Sequence, residues 1–255
     1  MSKTMTGSTA ARSSIGRRVL VVDDDPDIRE NLRDILGDMG FEVDIAFDGP
    51  SALEVLARRP IDVALVDLRI PGMDGLSLIR HIRDLGSPVV PIVVTAYAGH
   101  ATPEQYGDSG AWRVVSKPIE MPRLLKLFDE AMDRPLVLIV DDDRPLCSNL
   151  WDILRENGYR VSLVHSVQQA EAELSANDPR VIVIDIRLPD GDGVSVLRHV
   201  RSINPDARTI VVTGFPRELD GLIHEARREG ADAVCLKPFD VHSLLALLED
   251  LSATR

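Results

Sequence analysis

Short apolar runs that end on a carboxylate recur along this chain. Val19–Val22 is followed by three aspartates, and Val63–Val66 is followed by Asp67. Apolar runs of four residues are too short for helices and are typical of buried strands. Between such runs, apolar residues recur at helical spacing, as they do over residues 28–39. The pattern predicts strands that alternate with helices, each strand carrying a polar side chain to its carboxyl end.

The whole pattern occurs twice. The run that ends on Asp67 is reproduced by a run that ends on Asp185, 118 positions later (185 minus 67). Five strand–helix units in alternation, present twice, predict an α/β fold. We expect two doubly wound, flavodoxin-like, five-stranded parallel sheets in tandem, each with strand order 2-1-3-4-5.

The predicted domain limits follow from the repeat and from a proline at its junction. We expect a first domain over residues 17–133 and a second over residues 134–255, with Pro135 preventing one helix from running through the join. Residues 1–16 are rich in serine, threonine and glycine and are predicted to form a disordered tail.

Composition narrows the classes of partner. The chain has 29 basic and 41 acidic residues, a formal charge of −12, which argues against a nucleic-acid-binding surface. No apolar run approaches the roughly 20 residues that span a bilayer, so we expect no membrane partner. The two cysteines, Cys147 and Cys235, are isolated within apolar patterns, which indicates free thiols and a cytoplasmic location.

Carboxylates should converge at one edge of each predicted sheet. With this strand order, ligands bind outside the carboxyl ends of strands 1 and 3, the strands that end on Asp23-Asp24 and on Asp67. Two carboxylates about 4 Å apart repel by roughly 4 kcal/mol at an effective dielectric of about 20, so the cluster needs a cation or raised pKa values. Hard oxygen ligands of this kind suit Mg²⁺. The second copy offers the same three acids: Asp141, Asp142 and Asp185.

Strands 4 and 5 add a hydroxyl and an ammonium group to the same edge. Thr95 follows Asp67 by 28 positions, and Thr213 follows Asp185 by 28 positions. Lys117 and Lys237 follow these threonines by 22 and 24 positions. A threonine hydroxyl and a lysine ammonium group could hold the oxygens of a phosphoryl group placed on the aspartate.

These residues carry a family resemblance. The segments Val21-Val22-Asp23-Asp24, Asp67 with Pro71-Gly72-Met73-Asp74-Gly75, Val94-Thr95-Ala96 and Lys117-Pro118 resemble the receiver domain of two-component response regulators. The second half is similar in Val140-Asp141-Asp142, Asp185 through Gly193, Thr213-Gly214 and Lys237-Pro238. Together the similar segments extend over nearly everything after residue 17.

The resemblance implies a phosphoryl-accepting role. Asp67 and Asp185 would accept phosphoryl groups from a histidine kinase or a histidine phosphotransfer protein. Mg²⁺ would be bound directly by Asp24 and Asp142, through water by Asp23 and Asp141, and by the backbone carbonyls of Arg69 and Arg187. The phosphoryl oxygens would be contacted by Thr95, Lys117, Thr213 and Lys237. The resemblance also implies that both sheets have the CheY-like fold and that cis peptide bonds precede Pro118 and Pro238.

The sequence departs from the family pattern before each lysine, and its two halves differ in the stretch of the fourth helix. The aromatic residue that the family usually has three positions before the lysine is replaced by Val114 and Val234. The stretch 99–108, where the fourth helix of the first domain belongs, has two glycines and few apolar anchors. We expect that helix to be short, distorted or mobile.

Three functions remain open from the sequence. The first is a tandem-receiver response regulator without an output domain, which signals through protein contacts, including a homodimer, and is not a turnover enzyme. The second is a phosphate sink or a scaffold with one active receiver. The third is an aspartate-nucleophile phosphatase, which typically needs a second acid two residues after the nucleophile, where Arg69 and Arg187 stand.

Overall fold

The structure, a computed structural model, describes residues 16–96, 103–214 and 220–253. The chain divides into two compact units. One comprises the residues up to His81 together with Val89–Met132, and the other comprises Ile82–Pro88 and the chain from Asp133 onwards. The boundary predicted from the sequence, between residues 133 and 134, lies one residue closer to the C-terminus. Apart from Gly16, the predicted N-terminal tail lies outside the described residues.

The first domain, which we define as the elements before Asp133, alternates strands and helices. Its five strands form one parallel sheet of order β2-β1-β3-β4-β5, as predicted. The elements are β1 (Arg18–Val22), α1 (Pro26–Asp38), β2 (Glu42–Ala46), α2 (Gly49–Arg58), β3 (Val63–Asp67), α3 (Gly75–Asp84), β4 (Val90–Thr95), α4 (Pro103–Ser109), β5 (Arg113–Ser116) and α5 (Met121–Met132).

The second domain repeats this order and adds a small antiparallel pair. The main sheet has the order β7-β6-β8-β11-β12, and β9 pairs with β10 in the loop after β8. The elements are β6 (Leu136–Val140), α6 (Arg144–Glu156), β7 (Arg160–Val164), α7 (Val167–Ala176), β8 (Val181–Asp185), β9 (Arg187–Leu188), β10 (Gly191–Asp192), α8 (Gly193–Ile203), β11 (Arg208–Thr213), α9 (Asp220–Arg228), β12 (Ala233–Leu236) and α10 (Val241–Ala253).

The central strands are apolar throughout because helices cover both faces of the sheet. In β6, Leu138 and Val140 pack into a cluster with residues of α7 and α8. Val137 and Ile139 point the other way and pack with residues of α6 and α10. Successive strand residues alternate between faces, so an unbroken apolar run is what a doubly covered strand requires. Each such side chain contributes about 1.5–3 kcal/mol when fully buried.

Capping residues start the helices that follow the first strand of each domain. Asp25 accepts hydrogen bonds from the N–H groups of Asp27 and Ile28, and Pro26 occupies the first turn. Asp143 does the same for α6 through the N–H of Leu146. These aspartates therefore cap helices, because their carboxylates satisfy N–H groups that have no partner within the helix.

The fourth helix of the first domain is short, as expected. The helix α4 spans 7 residues, whereas α9 spans 9. Residues 99–102 of the predicted stretch lie outside the described residues. Among the described helices, none combines the length and apolar character needed to cross a bilayer.

Candidate functional site

The strand register brings the polar strand ends together. In the first domain Val22 of β1 lies beside Val66 of β3, so the next residues, Asp23 and Asp67, reach the same sheet edge. Asp67 is paired with the residue just before Thr95 on β4. Because all strands are parallel, their carboxyl ends meet at this edge. The corresponding residues of the second domain are Asp141, Asp185 and Thr213.

A lysine directly after the last strand of each domain bridges two of the carboxylates. Lys117 Nζ lies 2.6 Å from Asp23 Oδ2 and also donates to Asp67 Oδ2. Lys237 Nζ lies 2.6 Å from Asp141 Oδ2 and 2.6 Å from Asp185 Oδ2. The peptide bonds Lys117-Pro118 and Lys237-Pro238 are cis, as the resemblance implied.

Burial and the lysine act in opposite directions on the acid that follows the first strand. Burial raises the pKa of Asp23, and the hydrogen bond from Lys117 only partly offsets this effect. Burial alone would lower the pKa of Lys117, but its hydrogen bonds to Asp23 and Asp67 raise it overall. Asp141 and Lys237 show the same two directions for the same reasons. The lysine is therefore held as a cation between two carboxylates.

Each site keeps an excess of negative charge. In each domain the three acids offer carboxylate oxygens that all lie within 4.8 Å of one another, and one ammonium group faces them, so the formal charge is −3 + 1 = −2. The members are Asp23, Asp24 and Asp67 in the first domain, and Asp141, Asp142 and Asp185 in the second.

The donor set fits a divalent cation. Both carboxylate oxygens of Asp23 already accept hydrogen bonds, one from Lys117 and one from the N–H of Asp25 at 3.0 Å. Asp24 is exposed, so its carboxylate can reach an ion directly. A cluster of carboxylate and carbonyl oxygens with room for water is the environment that Mg²⁺ prefers. The predicted metal residues of the second domain are arranged in the same way.

The aspartate predicted to be the acceptor is oriented in each domain by the loop that follows it. Asp67 Oδ1 accepts a hydrogen bond of 2.9 Å from the N–H of Arg69, and Asp185 Oδ1 accepts one of 3.0 Å from the N–H of Arg187. The arginines predicted to supply carbonyl ligands thus lie beside the acceptor. The position of Asp67 as the last residue of β3 keeps its carboxylate at the mouth of the site.

The threonine of the second domain presents an unpartnered hydroxyl to the site. Thr213 is fully buried, and its Oγ1 has no hydrogen-bond partner among the described residues. It lines a cavity of about 370 Å³ together with Asp142, Asp185 and Lys237. A buried hydroxyl normally has a partner, so this oxygen is suited to bind a ligand. Thr95 occupies the matching place in the first domain and is also buried.

Two glycines allow close packing beside the sites, and neither was assigned a role from the sequence. A Cβ at Gly75 would lie 2.2 Å from the carbonyl oxygen of Asp67, and a Cβ at Gly193 would lie 2.3 Å from that of Asp185. Only glycine allows the following helix to start so close to the acceptor strand. The recurrence of glycine eight residues after each aspartate was the available signal.

The groups that hydrogen-bond the backbone carbonyl of the first acid, Asp23 or Asp141, differ between the domains. The sequence did not indicate this difference. The carbonyl oxygen of Asp23 accepts a hydrogen bond from Arg29. The carbonyl oxygen of Asp141 lies 3.3 Å from Cys147 Sγ and 2.8 Å from His165 Nδ1. Burial raises the pKa of Cys147 to about 12, so it remains a thiol that donates its hydrogen.

The position of the absent aromatic residue holds a partly buried valine in both domains. Val114 lies in β5 and Val234 lies in β12, each next to a fourth strand that ends on threonine. Valine has no ring that could change its exposure when the threonine binds a ligand. Both domains therefore lack an aromatic side chain at this position of their last strand.

Comparisons with known proteins identify the same domain in each half of the chain. The family model of the response regulator receiver domain matches residues 19–129 and 137–249. A response regulator receiver protein of Anaeromyxobacter sp. strain Fw109-5 is 34% identical over 239 residues, covering 94% of this chain and 97% of that protein. A region of the sensor histidine kinase RcsC of Salmonella typhi is 38% identical over 119 residues, covering 47% of this chain and 13% of the kinase.

Solved structures match single domains. A CheY-like receiver domain protein from Methanospirillum hungatei JF-1 is 31% identical, with a TM-score of 0.44, and the match covers 46% of this chain and 94% of that one. The response regulator TrrA of Thermotoga maritima, solved in complex with Mg²⁺ and BeF, is 30% identical with a TM-score of 0.42, and the match covers 45% of this chain and 98% of that one.

Proposed function

Because the chain belongs to the response regulator receiver family and carries two receiver domains in tandem, we propose that it is a signalling protein that accepts phosphoryl groups on Asp67 and Asp185. The observation that carries the proposal is the doubled arrangement of a buried acceptor aspartate, a bridging lysine and a pair of acids at one sheet edge. We also propose that the protein is not a turnover enzyme. Each aspartate would itself carry the phosphoryl group that it receives, one group at a time.

The proposed reaction is a transfer to a carboxylate oxygen. An oxygen of Asp67 attacks the phosphorus atom, the new O–P bond forms, and the P–N bond of a phosphohistidine breaks. The imidazole nitrogen leaves with the electron pair of that bond. The hydrogen bond from the N–H of Arg69 orients the carboxylate for this attack.

The lysine and the threonine would hold the transferred group. Lys117 and Thr95 reach the acceptor edge from β5 and β4, and in the second domain Lys237 and Thr213 do so. An ammonium group and a hydroxyl aimed at phosphoryl oxygens stabilise the charge that they carry during transfer. The unpartnered Oγ1 of Thr213 supports this role.

A Mg²⁺ ion completes the proposal. Asp24, Asp67 and the carbonyl of Arg69 would hold it in the first domain, with Asp23 acting through water. Asp142, Asp185 and the carbonyl of Arg187 would hold it in the second, with Asp141 acting through water. When bound, the ion offsets the negative charge of the acids and of the incoming phosphoryl oxygens. The excess charge of −2 in each cluster supports this requirement.

The proposed partners are proteins. A histidine kinase or a histidine phosphotransfer protein would supply the phosphoryl group, and output would pass through protein contacts, including a homodimer. The similarity to the receiver region of a sensor histidine kinase supports the first part. The free thiols Cys147 and Cys235 support a reducing, cytoplasmic setting.

The test is intact mass spectrometry after incubation with Mg²⁺ and acetyl phosphate. Wild type is expected to gain two phosphoryl groups, whereas Asp67→Asn and Asp185→Asn gain one each, because asparagine keeps the shape but lacks the nucleophilic carboxylate. The double variant should gain none. Chelation of Mg²⁺ should prevent both additions.

The matched control is Asp38→Asn, which changes a carboxylate at the end of α1 outside both clusters and should leave two additions. Phosphorylation that survives in the double variant would overturn the assignment of the acceptors. A single addition in wild type would favour the alternative in which one receiver is a sink or a scaffold.

A further inference from the structure

The loop after β8 is fastened to a neighbouring helix by one carboxylate. Asp190 Oδ1 accepts a hydrogen bond of 2.8 Å from the N–H of Val167, and Oδ2 accepts one of 3.1 Å from the N–H of Gln168. These two N–H groups open α7 and have no partner within the helix. We call this pair of bonds the Asp190 clasp. Its N–H donors lower the pKa of Asp190, so it remains a carboxylate at neutral pH.

The clasp closes a loop that already has an ordered shape. Arg187 and Leu188 of β9 pair with Asp192 and Gly191 of β10, so Asp190 stands at the tip of a small hairpin. One end of this hairpin is the residue predicted to supply a carbonyl ligand, and its N–H also binds the acceptor carboxylate of Asp185. The other end is Asp192, which caps α8 by accepting from the N–H of Ser195 at 2.8 Å.

The clasp also spans the acid pair of the second domain. The strand order places β6 between β7 and β8. A bond from the loop after β8 to the helix after β7 therefore joins the segments on both sides of the loop that carries Asp141 and Asp142. It limits how far these two segments can separate when an ion or a phosphoryl group enters.

The first domain lacks the carboxylate of the clasp and one of its two N–H donors. Gly72 stands where Asp190 does, and Pro50, at the second position of α2, has no N–H to offer. Instead the side chain of Met73 lies against Gly49, since a Cβ there would be 2.9 Å from Met73 Sδ. Within residues 68–74, all of which are described, no strand pairing is present. An apolar contact to a flexible thioether restrains a loop less than two oriented hydrogen bonds do.

We propose that Asp190 is a positioning residue that pre-organises the second site, so that this site binds Mg²⁺ more tightly than the first. The inference rests on the proposed function, because it concerns the metal of the same site. Residues that orient a metal ligand without touching the ion commonly change its affinity by about 10–100-fold. The clasp acts on the Arg187 carbonyl through the hairpin, which makes it a residue of this kind.

The test is a Mg²⁺ titration of the full chain followed by amide NMR, in which each domain reports on its own site. Wild type is expected to show tighter binding at the second site. Asp190→Ala should weaken that site by about 10-fold and leave the first site unchanged. Asp190→Asn keeps one acceptor oxygen and should give an intermediate loss. The amides of Val167 and Gln168 should exchange faster with solvent in both variants.

The outcomes separate the clasp from the function. Faster exchange at Val167 and Gln168 with unchanged Mg²⁺ affinity would overturn the positioning role and leave the clasp a structural feature only. Equal weakening of both sites would also overturn it, since the effect would then be global. A wild-type chain whose two sites bind Mg²⁺ equally would refute the proposed difference. The absence of Mg²⁺-dependent shifts in both wild-type domains would instead overturn the proposed metal site, and this inference with it.

Discussion

The two domains place the same reactive side chains at the same strand ends but hold them with different neighbours. Lys117 and Lys237 each bridge two aspartates. The backbone carbonyl oxygen of the first acid accepts a hydrogen bond from Arg29 in the first domain. In the second domain it accepts hydrogen bonds from Cys147 and His165.

This difference in hydrogen-bond donors indicates which parts of the site can vary between the domains. The reactive groups are positioned by strand register, and a register shift of one residue would turn every side chain to the other face. The supporting groups satisfy one carbonyl oxygen, which a guanidinium, a thiol or an imidazole can each do. The domains can therefore share one chemistry while they differ in the stability and affinity of its site.

The largest effect should come from removing the bridging lysine. We expect Lys117→Met to slow phosphorylation of Asp67 by about 10²–10³-fold, because a cation aimed at the phosphoryl oxygens is lost. Lys237→Met should slow Asp185 equally, since both lysines make the same two contacts. Each rate is measured by intact mass in a background where the other acceptor is asparagine. Markedly unequal effects would break the equivalence of the two sites.

A smaller effect is expected from the glycines that let a helix approach the acceptor strand. Gly75→Ala and Gly193→Ala should each destabilise their domain by about 1–3 kcal/mol, because the new Cβ meets backbone. Gly193→Ala should cost more, since its Cβ would also lie 2.8 Å from Ile184 Cγ2. Urea unfolding followed by the fluorescence of the single tryptophan in each domain measures both.

Gly37→Ala is the matched control for these variants. Nothing lies within 4 Å of a Cβ at this position of α1. Alanine should therefore stabilise the first domain by about 0.5–1 kcal/mol through its higher helix propensity. If Gly75→Ala were as harmless as this control, the close approach would not constrain the site.

The smallest effect concerns a carboxylate present only in the second domain. Asp232 accepts hydrogen bonds from the N–H of Thr209 at 2.8 Å, from Arg201 at 2.8 Å and from Arg208 at 3.0 Å, and Trp112 stands in its place in the first domain. Burial alone would raise the pKa of Asp232, but these hydrogen bonds outweigh burial and lower it. We expect Asp232→Asn to cost the second domain about 1–2 kcal/mol at neutral pH.

The sign of the pH dependence follows from the lowered pKa of Asp232. The carboxylate stabilises the fold fully above its unfolded pKa of about 3.9, and this stabilisation is lost as the pH falls through the lower folded value. The cost of Asp232→Asn should therefore shrink below about pH 4. It is measured by urea unfolding at several pH values. A cost that is constant with pH, or that appears in the first domain, would contradict this account.

Much of the fold and site followed from pattern and spacing. The equal 44-residue separation of Asp23 from Asp67 and of Asp141 from Asp185 spans one helix–strand–helix–strand unit, so it predicted the repeat and the place of these aspartates at one sheet edge. Their role as acceptors came from the family resemblance. The clasp could not be predicted in this way. Asp190 lies in the loop after β8, and its partner Val167, 23 residues earlier, opens α7.

The sequence by itself determined which side chains reach the carboxyl-terminal edge of each sheet, because apolar periodicity sets where each parallel strand ends. It also indicated two domains, through the length of the chain and a repeat 118 positions apart. Only the tertiary structure decided which carboxylate oxygens each lysine contacts and which groups hydrogen-bond the carbonyls of Asp23 and Asp141. It also decided that Asp190 fastens its loop to α7. These contacts depend on the distance and direction between elements far apart in the chain, and local spacing carries no information about either.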